Sequence, residues 1–165
     1  MRAKKIAFLG VMSSFALALS YLELLIPPIT AAFPGIKMGL ANIVVVFVLY
    51  KFGEKEAVAI SLLRIVLSAL LFGSFMSFLY SLSGAILSFI VMILLRRSGL
   101  FSEVGVSVAG GISHNAAQIL VAALVFDTPQ IWYYMPILAI SGTVSGLLVG
   151  VAGALSLRKL EKIKF

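Results

Sequence analysis

The sequence predicts an all-α integral membrane protein with six transmembrane helices and both termini on the cytoplasmic side. Composition, the succession of apolar segments and the distribution of basic residues lead to this prediction. Hydrophobic residues make up 62% of the 165 positions and charged residues 12%, against about 45–50% and about 25% in an average soluble domain. The mean hydropathy is +1.17. A chain this apolar is expected to lie in a lipid bilayer.

Six apolar segments follow one another along the chain, and each is a candidate membrane helix. The second and third are shorter than the roughly 20 residues that a perpendicular helix needs. We therefore expect them to be tilted, broken or shielded by neighbouring helices. The connectors are too short to hold a soluble domain, so residues 1–165 should form a single membrane domain. The segments cover residues 6–26, 38–52, 56–72, 75–95, 105–126 and 131–154.

The basic residues predict the orientation of the chain. When the connectors are assigned to alternate sides of the membrane, one side receives only Lys37. Because lysine and arginine are enriched in cytoplasmic loops, the other side should be cytoplasmic. We expect a multi-pass protein of the plasma membrane. The residues on the cytoplasmic side are Arg2, Lys4, Lys5, Lys51, Lys55, Arg96, Arg97, Arg158, Lys159, Lys162 and Lys164.

The chain lacks the residues that several classes of function require. The chain has no cysteine, which excludes disulfides and thiolate metal sites. Its single aspartate is Asp127, so clustered aspartates cannot hold magnesium against a diphosphate. It also lacks the GxxxxGK[ST] phosphate loop of many ATPases. We predict a protein that is not an enzyme, binds no cofactor, metal or nucleic acid, and has the lipid bilayer as one partner.

The stretch GGISHNAAQIL, residues 110–120, places the only histidine inside an apolar segment. Gly111, His114 and Gln118 are spaced by three and four residues, so they share one face of the fifth helix, and Asn115 lies beside them. His114 lies about ten residues from the cytoplasmic end of the fifth segment, so at 1.5 Å per residue it should be roughly 15 Å deep in the membrane. Polar residues at this depth either bond neighbouring helices together or line the site of a ligand or ion.

A second polar group belongs to the third segment. Arg64 lies at a depth comparable to that of His114, where a charge costs at least about 2.5–3.5 kcal/mol. It should therefore face protein or a hydrated cavity. Glu23 lies near the outer end of the first segment, so we expect the cavity to contain one uncompensated positive charge. Lys37 and Asn42 would guard its entry. The predicted substrate-binding residues are Lys37, Asn42, Arg64, His114, Asn115 and Gln118.

Small residues recur every four positions in the first and sixth segments. Such stripes allow two helix backbones to approach closely. For each stripe, internal packing and docking of a partner membrane subunit are both open interpretations. The stripes consist of Gly10, Ser14 and Ala18 in the first segment and of Gly142, Gly146 and Gly150 in the sixth.

The motifs PGIKMGLAN (34–42) and SHNAAQ (113–118), with similar stretches along nearly the whole chain, resemble the family called heptaprenyl diphosphate synthase component I or Gx transporter. That family is similar in size and helix count to the substrate-binding S components of energy-coupling factor (ECF) transporters. The resemblance implies a transmembrane coupling subunit and ATPase subunits as partners. It also implies that the outer loop PPITAAFPGIK caps a pocket and that the stripe Gly10, Ser14 and Ala18 docks the coupling subunit.

Two functions from different classes remain open. In the first, the chain is the S component of an importer for a small, partly apolar molecule with an anionic or hydrogen-bonding group. Arg64 would neutralise this group, the polar residues around His114 would orient it, and Phe75 and Phe78 would pack against the apolar part. In the second, the chain is a non-catalytic accessory subunit of a prenyl, quinone or redox complex. An isoprenoid ligand rests on the family name alone.

The predicted topology can be tested with introduced cysteines, because the chain contains none of its own. Cysteines at Thr30 and Thr128 should react with a membrane-impermeant thiol reagent applied to intact cells. A cysteine at Ser98 should react only after the cells are opened. Labelling of the Ser98 position alone in intact cells would contradict the assignment of both termini to the cytoplasm.

Overall fold

The computed structural model of the protein describes residues 2–25, 39–126 and 129–160. Within these ranges the chain is helical and contains no strand, so the all-α class is confirmed. A short 3-10 helix, Pro129–Tyr134, precedes the last α-helix. The six α-helices are α1 (Arg2–Leu25), α2 (Asn42–Lys51), α3 (Glu54–Phe72), α4 (Phe75–Ser98), α5 (Glu103–Phe126) and α6 (Met135–Lys159).

Four stretches of the described chain are long and apolar enough to cross a membrane. They lie in α1, α4 and α5 and across the 3-10 helix and α6, which supports a membrane protein with several spans. The other two helices match the two short segments of the sequence, and six complete spans remain a prediction. The four stretches are Ala3–Leu25, Phe75–Ser98, Glu103–Val125 and Gln130–Lys159.

Helix α2 is short and enclosed by other helices. Its ten residues extend over about 15 Å, roughly half of a hydrocarbon core about 30 Å thick. Residues 44–49 are all buried, and α2 packs against α1, α3, α5 and α6. The sequence predicted a longer segment, 38–52. The helix begins later because Gly39 adopts a left-handed conformation (φ 71°) and opens a turn in which Asn42 N donates to Gly39 O at 2.8 Å.

The helices surround a central space. Helices α2, α3, α4, α5 and α6 pack against one another in this order, and contact between α6 and α2 closes the ring. Helix α1 packs against α2 and α3, and its last turns reach the central space.

The glycine stripe of α6 packs against α5. A Cβ atom added to Gly142 would lie 2.7 Å from the backbone oxygen of Gly111, and one added to Gly146 would lie 2.7 Å from the Cα atom of Val108. Of the two interpretations that the sequence left open for this stripe, internal packing is the correct one.

The small-residue stripe of α1 faces outward instead. Gly10, Ser14 and Ala18 are exposed, and a Cβ atom on Gly10 would meet nothing within 4 Å. Among the described residues no other helix covers this stripe. Docking of a partner subunit to it remains a prediction.

Ion pairs join helix ends at one end of the bundle. Lys5 Nζ of α1 lies 2.6 Å from Glu56 Oε1 of α3, and Arg97 of α4 binds both carboxylate oxygens of Glu54 at 2.6 and 2.9 Å. Exposed pairs of this kind contribute little to stability, because water and salt screen their attraction. They nevertheless show that several of the basic clusters share one end of the bundle, as the orientation prediction requires. Which side of the membrane this end faces remains a prediction.

Candidate substrate-binding site

A cavity of about 510 Å³ occupies the centre of the helix ring, and all six helices contribute to its wall. This volume is within the roughly 300–1,000 Å³ typical of small-molecule pockets. The fold thus brings together five of the six predicted binding residues, while Lys37 lies outside the described part of the chain, as does the predicted cap at 27–37. The five residues on the cavity wall are Asn42, Arg64, His114, Asn115 and Gln118.

Arg64 makes few hydrogen bonds for a guanidinium group. One terminal nitrogen, Nη1, donates to Ser20 Oγ at 3.2 Å, and the other, Nη2, donates to Asn42 Oδ1 at 3.4 Å. The buried Nε has no hydrogen-bond partner among the described residues. Because a guanidinium has five N–H donors, about three remain available to a ligand or to water.

Glu23 also lines this cavity, from the last turn of α1. Its Oε1 accepts hydrogen bonds from the backbone N–H groups of Gly39 and Leu40, the second at 3.3 Å. These bonds fasten α1 to the turn that leads into α2 and so help to place Asn42 beside Arg64. The carboxylate attracts the guanidinium of Arg64 electrostatically, although the two groups form no direct ion pair.

The expectation of one uncompensated positive charge is therefore wrong. Arg64 binds Ser20, and Glu23 lies only three residues further along α1. Residue counts within separate segments give the depth of each residue in its own helix. They cannot show which turns of α1 and α3 lie side by side.

His114 stacks on a glycine of the neighbouring helix. A Cβ atom added to Gly84 of α4 would lie 2.5 to 2.7 Å from three atoms of the imidazole ring, so the absence of a side chain at this position makes room for the ring. Gln118 Nε2 lies 3.1 Å from His114 Nε2. Gly84 was not among the residues predicted from the sequence. The available signal was a glycine inside an apolar helix, which often marks a packing or functional position.

Asn115 has a different environment from His114. Its side-chain nitrogen donates to the backbone oxygen of Leu138 in α6 at 2.8 Å. This bond is an example of the interhelical contact that the sequence left open as an alternative for the polar stripe. Asn115 thus joins α5 to α6 while it lines the cavity.

Serine hydroxyls form much of the polar wall. Nine serines line the cavity, and several of them donate to a carbonyl of their own helix, as Ser20 does to Ala16 O at 3.1 Å. The hydroxyl groups of five others form no hydrogen bond with any residue that the structure describes, so they are available to water or ligand. In the sequence, the regular spacing of serines on α4 was the signal for this polar wall. The unpaired set is Ser61, Ser77, Ser81, Ser88 and Ser107.

The aromatic residues expected to hold the apolar part of a ligand lie elsewhere. Phe75 is 72% exposed, and Phe78 packs against the hydrophobic core. Phe72 and Phe89 line the cavity instead. Phe75 is the first residue of α4, and its position in the helix turns it away from the ring centre. In the described ranges no group of three metal-ligating side chains comes together.

A family model described as heptaprenyl diphosphate synthase component I matches residues 12–156. The match includes every residue on the cavity wall. Comparisons with curated proteins and with solved structures gave no match.

The stacking of His114 on Gly84 leads to a test. Gly84→Ala should displace the imidazole, because the new methyl group would overlap the ring and such overpacking typically costs about 1–3 kcal/mol. The chain has one histidine, so a protein with isotope-labelled histidine and a histidine-free tag reports this ring alone by NMR. The control is Gly105→Ala, where the nearest atom would be 3.6 Å away. Unchanged ring signals in a folded Gly84→Ala protein would contradict the stacking.

Proposed function

The chain belongs to the heptaprenyl diphosphate synthase component I family, and we propose that it acts as the substrate-binding subunit of an importer of the ECF type. In this function the helix ring captures a small, partly apolar molecule in its central cavity. Separate coupling and ATPase subunits would supply the energy, because the chain has no phosphate loop of its own.

The unused donors of Arg64 carry this proposal. A guanidinium that remains protonated is held in a cavity of about 510 Å³ with Nε unpaired. Buried polar groups without partners are costly, so such an arrangement is usually kept for a ligand or ordered water. Ionisable residues inside membrane helices are functional candidates for the same reason. The unpaired serine hydroxyls offer further hydrogen bonds around the same space.

The apolar part of the wall suits a molecule that is not uniformly polar. Phe72 and Phe89 are joined there by Val45 and Met92, which face the same cavity as Arg64. A ligand could then have its polar group near Arg64 and its apolar surface against these side chains.

The outward stripe of α1 supports the partner part of the proposal. Gly10, Ser14 and Ala18 are exposed, and small residues of this kind allow close approach of another helix. The cavity wall uses Ser20 and Glu23, which follow the stripe in the last turns of α1. Docking and ligand binding would therefore involve separate parts of the helix.

The family description favours a second candidate function. It names one component of a synthase, so the chain would be an accessory membrane subunit of a prenyl, quinone or redox complex. Prenyl transfer itself needs magnesium-bound diphosphate, and the chain has a single aspartate. Catalysis would then belong to the other component, and the purified accessory subunit would associate with that component rather than retain a small molecule.

A native mass spectrum of the purified protein should show a retained small molecule. Arg64→Gln should reduce its affinity by roughly thirtyfold to several thousandfold, because the partner group of the ligand loses a buried charged donor. His114→Gln should have an intermediate effect. Asn115→Ala should have the smallest, since its amide already bonds Leu138.

Arg97→Gln is the matched control for this series, because it also removes an arginine but lies outside the cavity. It should leave retention unchanged. An Arg64→Gln protein that folds and retains the molecule like the parent would mean that Arg64 is structural and that the ligand binds elsewhere.

Ser14→Leu should abolish co-purification with a co-expressed coupling subunit and leave the retained ligand in place, because a leucine side chain would prevent close approach of the partner helix. The matched control is Thr143→Leu on α6. Both native hydroxyls are exposed and donate to the carbonyl four residues earlier. Equal partner recovery from both variants would be evidence against docking through the α1 stripe.

A further inference from the structure

One acidic and one basic side chain line the described cavity, in addition to the imidazole of His114. They are Arg64 of α3 and Glu23 of α1, one positive and one negative. Every other ionisable carboxylate, lysine or arginine of the described residues lies away from the wall. Within this part of the chain the formal charges of the carboxylate and the guanidinium therefore balance.

The two charged groups are close but do not neutralise each other by contact. Arg64 binds Ser20, and Glu23 is three residues further along α1, an axial distance of about 4.5 Å at 1.5 Å per residue. The guanidinium keeps its unpaired Nε. Glu23 uses only Oε1 for the turn before α2, and its Oε2 accepts no hydrogen bond from the described chain. Donors and an acceptor therefore lie side by side in the same cavity.

We propose that the ligand of this cavity has no net charge and presents a hydrogen-bond acceptor to Arg64 and a hydrogen-bond donor to Glu23. The inference rests on the proposed binding function and names the chemical class of its substrate. An uncharged polar molecule and a zwitterion share this chemistry. A diphosphate does not, because one guanidinium cannot neutralise several negative charges and Glu23 repels them.

The remaining wall agrees with an uncharged ligand. Its other polar groups are hydroxyls and amides, including the unpaired serine hydroxyls, and such groups can donate as well as accept. Interactions between charges are strong in a medium of low dielectric constant. A ligand with net charge would therefore need a partner of opposite charge. Among the described wall residues, the one arginine that could bind an anion shares the cavity with Glu23.

Glu23→Gln separates the charge of this residue from its structural role. The glutamine Oε1 can still accept from Gly39 and Leu40, so the turn before α2 can be retained. Inorganic diphosphate serves as the anionic probe, with binding to detergent-purified protein measured by calorimetry. We expect Glu23→Gln to bind diphosphate at least about tenfold more tightly than the parent, which corresponds to about 1.4 kcal/mol.

Glu103→Gln is the matched control, since Glu103 belongs to α5 but does not line the cavity. It should behave like the parent. The molecule that the parent retains should bind Glu23→Gln with at least about tenfold lower affinity, because its donor group loses a charged acceptor. An anionic ligand would instead be retained more tightly by Glu23→Gln.

The outcomes separate this inference from the function on which it rests. Diphosphate binding to the parent as tight as to Glu23→Gln, or a polyanion identified in the native mass spectrum of the parent, would overturn the inference and leave a binding subunit in place. The parent measurements do not depend on how the variant folds. A parent without any retained small molecule would remove both proposals. The identified mass would distinguish a neutral molecule from a zwitterion.

Discussion

A permanently charged guanidinium within a membrane helix bundle must be surrounded by polar atoms. Several helices of this structure supply such atoms to Arg64. Arg64 cannot lose its proton to become neutral, and contact with hydrocarbon would be costly. Ser20 from α1 and Asn42 from α2 each provide an acceptor. Glu23 supplies a negative charge and also fastens the turn from which α2 starts. Three helices are thus arranged around one side chain.

Close packing on one side of the ring leaves open space at its centre. Helices α5 and α6 approach until the backbones of Gly111 and Gly142 touch, and Gly84 lets His114 lie flat against α4. The side chains facing the centre are mostly serine, glycine and alanine, which are too small to fill it. The cavity of about 510 Å³ is the consequence. Small residues therefore have two effects here, contact between helices and room for a ligand.

The family description and the site chemistry are both compatible with the binding role that we propose. The description names a component of a synthase, whereas the chain has a single aspartate and no cysteine. A polar cavity with unused donors is compatible with capture of a substrate for import and with delivery of a substrate to another component. The balanced charges of Arg64 and Glu23 narrow the choice of that substrate, because they disfavour the diphosphate that the family name suggests.

The sequence by itself determined the membrane class, the helical fold and the positions of most helices. The segment predicted at 75–95 became α4, Phe75–Ser98, and the segment at 105–126 became α5, Glu103–Phe126. It also identified Arg64 and His114 as residues that face the interior. These features follow from local composition and from the helical period, because lipid and the packed interior both select apolar side chains along each helix.

Only the tertiary structure decided which residues of different helices meet. It placed Glu23 in the same cavity as Arg64, set His114 on Gly84, and turned Phe75 outward. It also distinguished two stripes of small residues that look alike in the sequence, one packed against α5 and one exposed on α1. The period of a helix gives the faces of that helix alone. The rotation and the axial offset between two helices arise from the packing of their side chains, and these two quantities decide which charges, rings and backbones come into contact.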